Sequence, residues 1–164
     1  MPTPAYMTIE GTHQGSISAG ASTQASVGNR YQNGHENQIL LQAVDHTVFV
    51  PSGANSGHRR HTPLVVTKGI DKSSPLINIA LSTGEPLTLC RLEFYRTAAP
   101  GAQELFYSME LHDAVIVHAQ LVLPNCLDAD NAEFTLMEVV HFAYRKITWV
   151  HEVCGTTGID QWNS

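Results

Sequence analysis

The side chains best able to do chemistry in this sequence are nine histidines, three cysteines and the basic run HRRH at 58–61. Imidazoles ligate zinc and move protons near neutral pH. Spacing restricts the first use. His112 and His118 lie six positions apart in a segment that reads as a strand, and at about 3.3 Å of rise per residue they stand roughly 20 Å apart. They cannot share one ion, because zinc holds nitrogen ligands at about 2.0–2.1 Å. A site would have to borrow His46, His141 or His151 from other strands, and the sequence by itself predicts no metal and no cofactor.

His58, Arg59, Arg60 and His61 sit in a Gly/Ser loop with no carboxylate or nucleophile beside them in sequence. Guanidinium forks in such a loop suit carboxylates on a neighbouring subunit better than they suit catalysis. GSISAG at 15–20 carries Ser16 where a G-x-S-x-G nucleophile elbow needs glycine. CGTTG at 154–158 lacks the spacing of a dinucleotide loop, and no G-x-x-x-x-G-K-[ST] phosphate loop occurs. Glu104 and Glu110 are too far apart along a strand for a glycosidase pair. Cys90 falls in an apolar strand, where burial keeps a thiol inert. With Cys126 and Cys154 it makes an odd count lacking any C-x-x-C spacing, the usage of a reducing compartment. No enzyme is expected.

At 164 residues the chain fits one domain with a core of its own. A hydrophobic share of 43% with 15% charged residues is that of a globular protein. Net charge is −6 with only nine Lys and Arg, which disfavours a phosphate-neutralising surface and therefore nucleic acid. No window approaches the ~18 apolar residues of a membrane span, and MPTPAYMTIEG lacks the basic and apolar regions of a signal peptide. Export would need dedicated machinery.

Alternation identifies most of the elements that must position these groups. Ala5, Met7 and Ile9 alternate with Tyr6, Thr8 and Glu10, the period of a half-buried strand. Residues 11–38, rich in Gly, Ser, Thr, Gln and Asn, read as short strands joined by turns. ILLQAVDHTVFV at 39–50 reads as a strand stopped by Pro51, and PLVVTKGI at 63–70 as another. The loop between them, 51–62, is longer than a tight hairpin needs and marks a contact arm. SSPLINIALSTG predicts one helix, capped by Ser74, with Pro75 at its first position and Gly84 past its end. Leu76, Ile77, Ala80 and Leu81 share a face that must cover a sheet.

LTLCRLEFYRT at 87–97 reads as a strand, and ELFYSMELHDAVIVHAQLVL at 104–123 as a long one. Leu105, Tyr107, Met109, Leu111, Val115, Val117, Ala119, Leu121 and Leu123 share its apolar parity, broken only at Asp113. A strand of that length bends through a bulge and serves two sheets. The last strand runs from Phe134 to Trp149, before a Gly-containing tail. These elements predict a mainly β fold, a compact two-sheet β-barrel or sandwich with one short α-helix packed on its side, as a single domain over 1–164.

AYRKITW at 143–149 places Arg145 and Lys146 between Tyr144 and Trp149. Alternation sends the two cations to opposite faces, so they form no common basic patch. Phe142 and Tyr144 then lie on one face, with Val139, Ala143, Ile147 and Trp149 on the other. A strand apolar on both faces is covered on both, by its own core and by a helix, loop or neighbouring subunit.

Over nearly its whole length the chain resembles the Hcp (haemolysin-coregulated protein) family, the tube subunits of the bacterial type VI secretion system. The resemblance is carried, in order, by MPTPAYMTIEG, GHENQILLQAVDHTVFVP, HTPLVVTKGIDKSSPL, ALSTGE, EFYRT, ELFYSMELHDAVIV and FAYRKITWVHEVCGTTGIDQW. It implies a small β-barrel flanked by one helix, assembled as a homo-hexamer into rings that stack into a hollow tube. It also implies a contractile sheath around the tube, a VgrG-type spike at its tip and effector proteins in its lumen. The subunit would assemble in the bacterial cytoplasm and be expelled without a cleaved signal peptide. On that reading His58, Arg59, Arg60, His61, Arg145 and Lys146 are subunit or ring contacts, and Phe142, Tyr144, Trp149, Leu76 and Leu81 pack the core or wall. No separate effector domain is expected.

Two other classes compete. A secreted carbohydrate-binding β-sandwich would use Trp149, Trp162 and Tyr95 as stacking platforms. A histidine metalloenzyme on a jelly roll would hold a bound metal.

Overall fold

The structure is a computed structural model and describes residues 3–51 and 58–161. In β1 (Ala5–Gly11) the alternate residues Ala5, Met7 and Ile9 enter the core, while Thr8 and Glu10 are half exposed. The polar segment that follows holds less strand than its turns suggested: β2 (Gly15–Ser16), a single helical turn α1 (Gln24–Val27) and a 3-10 turn at Gly28–Arg30. Next come β3 (Ile39–Asp45) and β4 (Val48–Phe49), into which the predicted 39–50 strand is split. β4 leaves the main sheet to pair with β5 (Arg60–His61), and β6 (Leu64–Gly69) returns to it. Half of the predicted arm, residues 52–57, lies outside the described residues.

The helix α2 (Ser74–Thr83) starts at its predicted cap, one residue earlier than expected. Ser73 holds the capping position, Ser74 is already helical, and the Asp71 carboxylate accepts the Ser73 amide (2.9 Å) and hydroxyl. Gly84 ends the helix in the left-handed conformation (φ 66°, ψ 31°), where a residue without Cβ is unstrained. Ile77 and Ala80 are buried, and Leu76 and Leu81 pack against the core from its margin.

β7 (Leu87–Thr97), β8 (Gln103–His112), β9 (Val115–Val122), β10 (Met137–Ala143), β11 (Lys146–His151) and β12 (Thr156–Gln161) complete the chain. The predicted tail is therefore a strand. The ladders run β12-β11-β8-β7-β1-β3-β6-β10-β9, with β2 attached to β1. The fold is mainly β with a helix at its side, as predicted. It differs in detail: the two sheets are one continuous antiparallel path, and among the described residues its ladders do not close into a ring.

The path is wrapped by one long hairpin. Register runs from Met137↔Val122 to Ala143↔Val115, and resumes from Lys146↔His112 to His151↔Tyr107. Its halves, β8–β11 and β9–β10, lie at opposite ends of the path. Both strands turn the corner together: Asp113 takes a positive φ of 52°, and the Arg145 amide donates to the His112 carbonyl at 3.2 Å.

This corner corrects two alternation readings. Along β8–β9 the buried side passes from Met109 and Leu111 to Ala114 and Ile116 across Asp113. A register shift at His141/Phe142 leaves Val117 as the extra residue, after which Ala119 faces the core again. Along β10–β11 the buried side passes from Phe142 and Tyr144 to Ile147. The apolar residues on both parities of AYRKITW thus serve one core, because the strand bends between them. Both faces need not be covered.

Candidate assembly surface

The described base of the arm is β4 and β5, a two-stranded ribbon. Two short strands are marginal in water unless something holds them, and here the holding groups are polar. Arg59 donates from Nε to Asp160 Oδ2 (3.0 Å), and from Nη2 to Asp160 Oδ1 (2.8 Å) and the Gln161 carbonyl (3.0 Å). His61 places Nε2 2.6 Å from Asp160 Oδ2 and Nδ1 3.0 Å from the Tyr144 hydroxyl, which also meets His46 Nε2. Five side chains from four stretches of chain therefore tie the ribbon to the outermost strand, β12.

The proton arrangement follows from the donor inventory. Hydrogen bonds from Arg59, then from His61, hold the Asp160 carboxyl at about 2, below its ordinary 3.8. An ionised carboxylate only accepts, so Nε2 of His61 carries a proton. In neutral His61, Nδ1 then accepts the Tyr144 hydroxyl, and His46 donates its Nε2 proton to the Tyr144 oxygen. Burial, with His61 close by, lowers the His46 pKa. Burial and then Asp160 raise that of Tyr144, so the phenol keeps the proton that this chain requires.

Of the residues singled out in sequence, Arg59, His61, Tyr144 and Trp149 meet in this cluster; Trp149 stacks on His61 with ring centres 6.4 Å apart and planes 17° from parallel. Arg59 has a carboxylate partner within its own chain, Asp160. His58 and Arg60 point to solvent. Arg145 is exposed at the corner and Lys146 opens β11. Phe142 is buried, and Leu76 and Leu81 lie beneath α2. Asp160 escaped the sequence reading; its only signal was the isolated acid in the β-compatible run TTGIDQ.

Two uncovered apolar areas flank this framework. Val48, Phe49 and Val50 on the arm are 40–53% exposed. Leu121, Leu123 and Leu127, on β9 and the loop after it, are 63–92% exposed. β12 and β9 are also the two ends of the sheet path, each with one backbone edge unpaired within the described chain.

Nothing comparable organises a reaction centre among the described residues. A cavity of about 210 Å³ includes Ser22 and Asp71 in its lining, but Ser22 is bonded to the Gln38 carbonyl and Asp71 to Ser73 and Lys68. Cys90 is buried, with its thiol pKa pushed up by burial and by Glu110. Tyr95 lies edge-on to Tyr6 and His35, and Trp149 is partly buried against the core beside His61, so both rings are engaged within the chain. Trp162 lies outside the described residues.

Residues 6–151 match the family model described as "Type VI secretion system effector, Hcp". The chain belongs to the Hcp family of type VI secretion proteins. It is 53% identical over 168 aligned residues to the "Major exported protein" of Pseudomonas aeruginosa, spanning 100% of this chain and 98% of that protein. A crystal structure of an Hcp protein superposes with a TM-score of 0.92 at 43% identity, covering 99% of each chain. Secreted protein Hcp3 of Pseudomonas aeruginosa does so with a TM-score of 0.86 at 48% identity, covering 99% of this chain and 100% of that one.

As an Hcp protein this chain is a structural, secreted component of the type VI secretion system, and a tube subunit works through its surfaces. The carbohydrate-binding alternative finds no support in the family or in the aromatic geometry. Among the described residues no helix is long and apolar enough to cross a membrane.

Proposed function

We propose that this Hcp chain builds the tube by closing laterally into six-membered rings that stack around a hollow lumen. The observation that supports this reading is the pairing of two unlike uncovered surfaces at the two ends of one sheet path. The arm and β12 lie at one end, and β9 with its following leucines at the other. Unlike surfaces join head to tail, and head-to-tail contacts close into rings when the rotation permits. The arm reaches the neighbour through Val48 and Phe49, with Arg60 and His58 at its rim. Arg145 and Lys146 hold the wall at the corner.

In this role the chain does no chemistry. It assembles in the bacterial cytoplasm, inside a contractile sheath and beneath a VgrG-type spike, and leaves with the effectors in its lumen without a cleaved signal peptide. The name of the Pseudomonas relative, "Major exported protein", supports the export alone. Native mass spectrometry with negative-stain imaging tests the assembly: six-subunit rings are expected, and a monomer persisting at high concentration overturns it.

A further inference from the structure

The register of β9 and β10 sets His118 directly opposite His141. Their ring centres are 4.3 Å apart with planes tilted by 38°. Neither imidazole makes a hydrogen bond among the described residues, so all the ring lone pairs are uncommitted. His118 is exposed and His141 partly so, which leaves the pair open to solvent. Elsewhere the histidines are differently placed: His46 and His61 are engaged with Tyr144 and Asp160, and His35 with Gln38.

We propose that His118 and His141 form a two-imidazole site for a divalent transition-metal ion of the zinc and copper class. Two nitrogens bound to one ion at about 2.0–2.1 Å lie roughly 3.3 Å apart in tetrahedral geometry, a separation that rings with centres 4.3 Å apart reach by side-chain rotation alone. Imidazole suits zinc and copper, and only the neutral ring can bind. No cluster of three or more metal-type side chains exists among the described residues. Asp45 shares the row, but Val65 of β6 stands between it and His141, about two strand spacings or roughly 9–10 Å away. Water therefore fills the remaining positions, and the ion pins the β9 edge to β10.

Sequence spacing had excluded an ion shared by His112 and His118 and required a ligand from another strand. Pairing supplies it. The experiment titrates the full-length protein, stripped with chelator, with ZnCl₂ and separately with CuCl₂ by calorimetry. It also follows the histidine ring protons by NMR. One equivalent per chain is expected, with the His118 and His141 signals moving together and with binding weakened at least tenfold in both His118→Ala and His141→Ala. No uptake, or binding unchanged in both variants, overturns the site. Because the NMR readout needs no variant, shifts spread evenly over His13, His58 and His151 overturn it equally.

Discussion

Lys68 and Glu138 face each other across the β6–β10 ladder, 70 positions apart in sequence, with the ammonium 3.0 Å from the carboxylate and both side chains buried. The same ammonium donates to Ser74 Oγ at 3.0 Å and lies 3.2 Å from Asp71 Oδ1, so the sheet is bolted to the first turn of α2. Removing one member of a buried pair strands the other charge, which costs about 3–5 kcal/mol. Lys68→Met is expected to lower stability by that order in urea unfolding. Lys68→Met with Glu138→Leu recovers much of the loss; equal losses in the single and double variants would refute the coupling.

The arm latch predicts a local effect. Asp160→Ala removes the acceptor shared by Arg59 and His61 while leaving the core untouched. Exposed ion pairs are weak, so amide exchange at residues 58–61 is expected to rise by about two- to fivefold, with the protection of β6 unchanged. Exchange at 58–61 that does not move would show that β4 alone holds β5.

Stability should fall on mild acidification. Burial first, then a neighbouring imidazole, lowers the pKa values of His46 and His141 below the ordinary 6.5. Between the folded and unfolded values the unfolded chain binds more protons, so their contribution is whole above about 6.5 and is lost as the pH falls below it. Asp160 acts lower down: its contribution is present above 3.8 and is lost as the pH falls through about 2. Melting temperatures between pH 7 and 5 should decline in the parent chain and flatten in His46→Asn with His141→Asn. An unchanged slope in that double variant would remove both histidines from the account.

Charge placed on either uncovered surface should block assembly and spare the fold. Phe49→Glu and Leu121→Glu each put a carboxylate where a neighbour is proposed to pack, at sites 42% and 66% exposed in the single chain. Rings are expected to disappear from native mass spectra while melting temperatures stay within a few degrees. Arg59→Ala with Arg60→Ala probes the rim of the same arm. Rings intact in all three would assign the contact elsewhere.

The sequence revealed those parts of the fold that local patterning controls. Pro75 and Gly84 bracket α2 almost at its true ends, and the alternation of Ala5, Met7 and Ile9 marks β1. The Asp113 corner was visible because a charged residue interrupts an apolar parity. Its partner at Tyr144–Arg145 was not, because the apolar run continues through it and only the backbone bend returns Ile147 to the core. β12 was missed because it is polar and exposed, and becomes a strand by pairing with β11. The latch was invisible because Arg59 and Asp160 lie 101 positions apart. Family resemblance identified the tube protein without indicating which carboxylate Arg59 would find.

The long hairpin has a mechanical consequence. A sheet with free ends can be peeled strand by strand, but here the strand at the β9 end is covalently the continuation of β8, next but one to the β12 end. A lateral pull on one margin of the subunit is carried through the Asp113–Arg145 corner into the opposite margin, as shear along paired strands rather than as peeling. Such a subunit transmits load across its full width, as a wall segment must when the tube is driven forward.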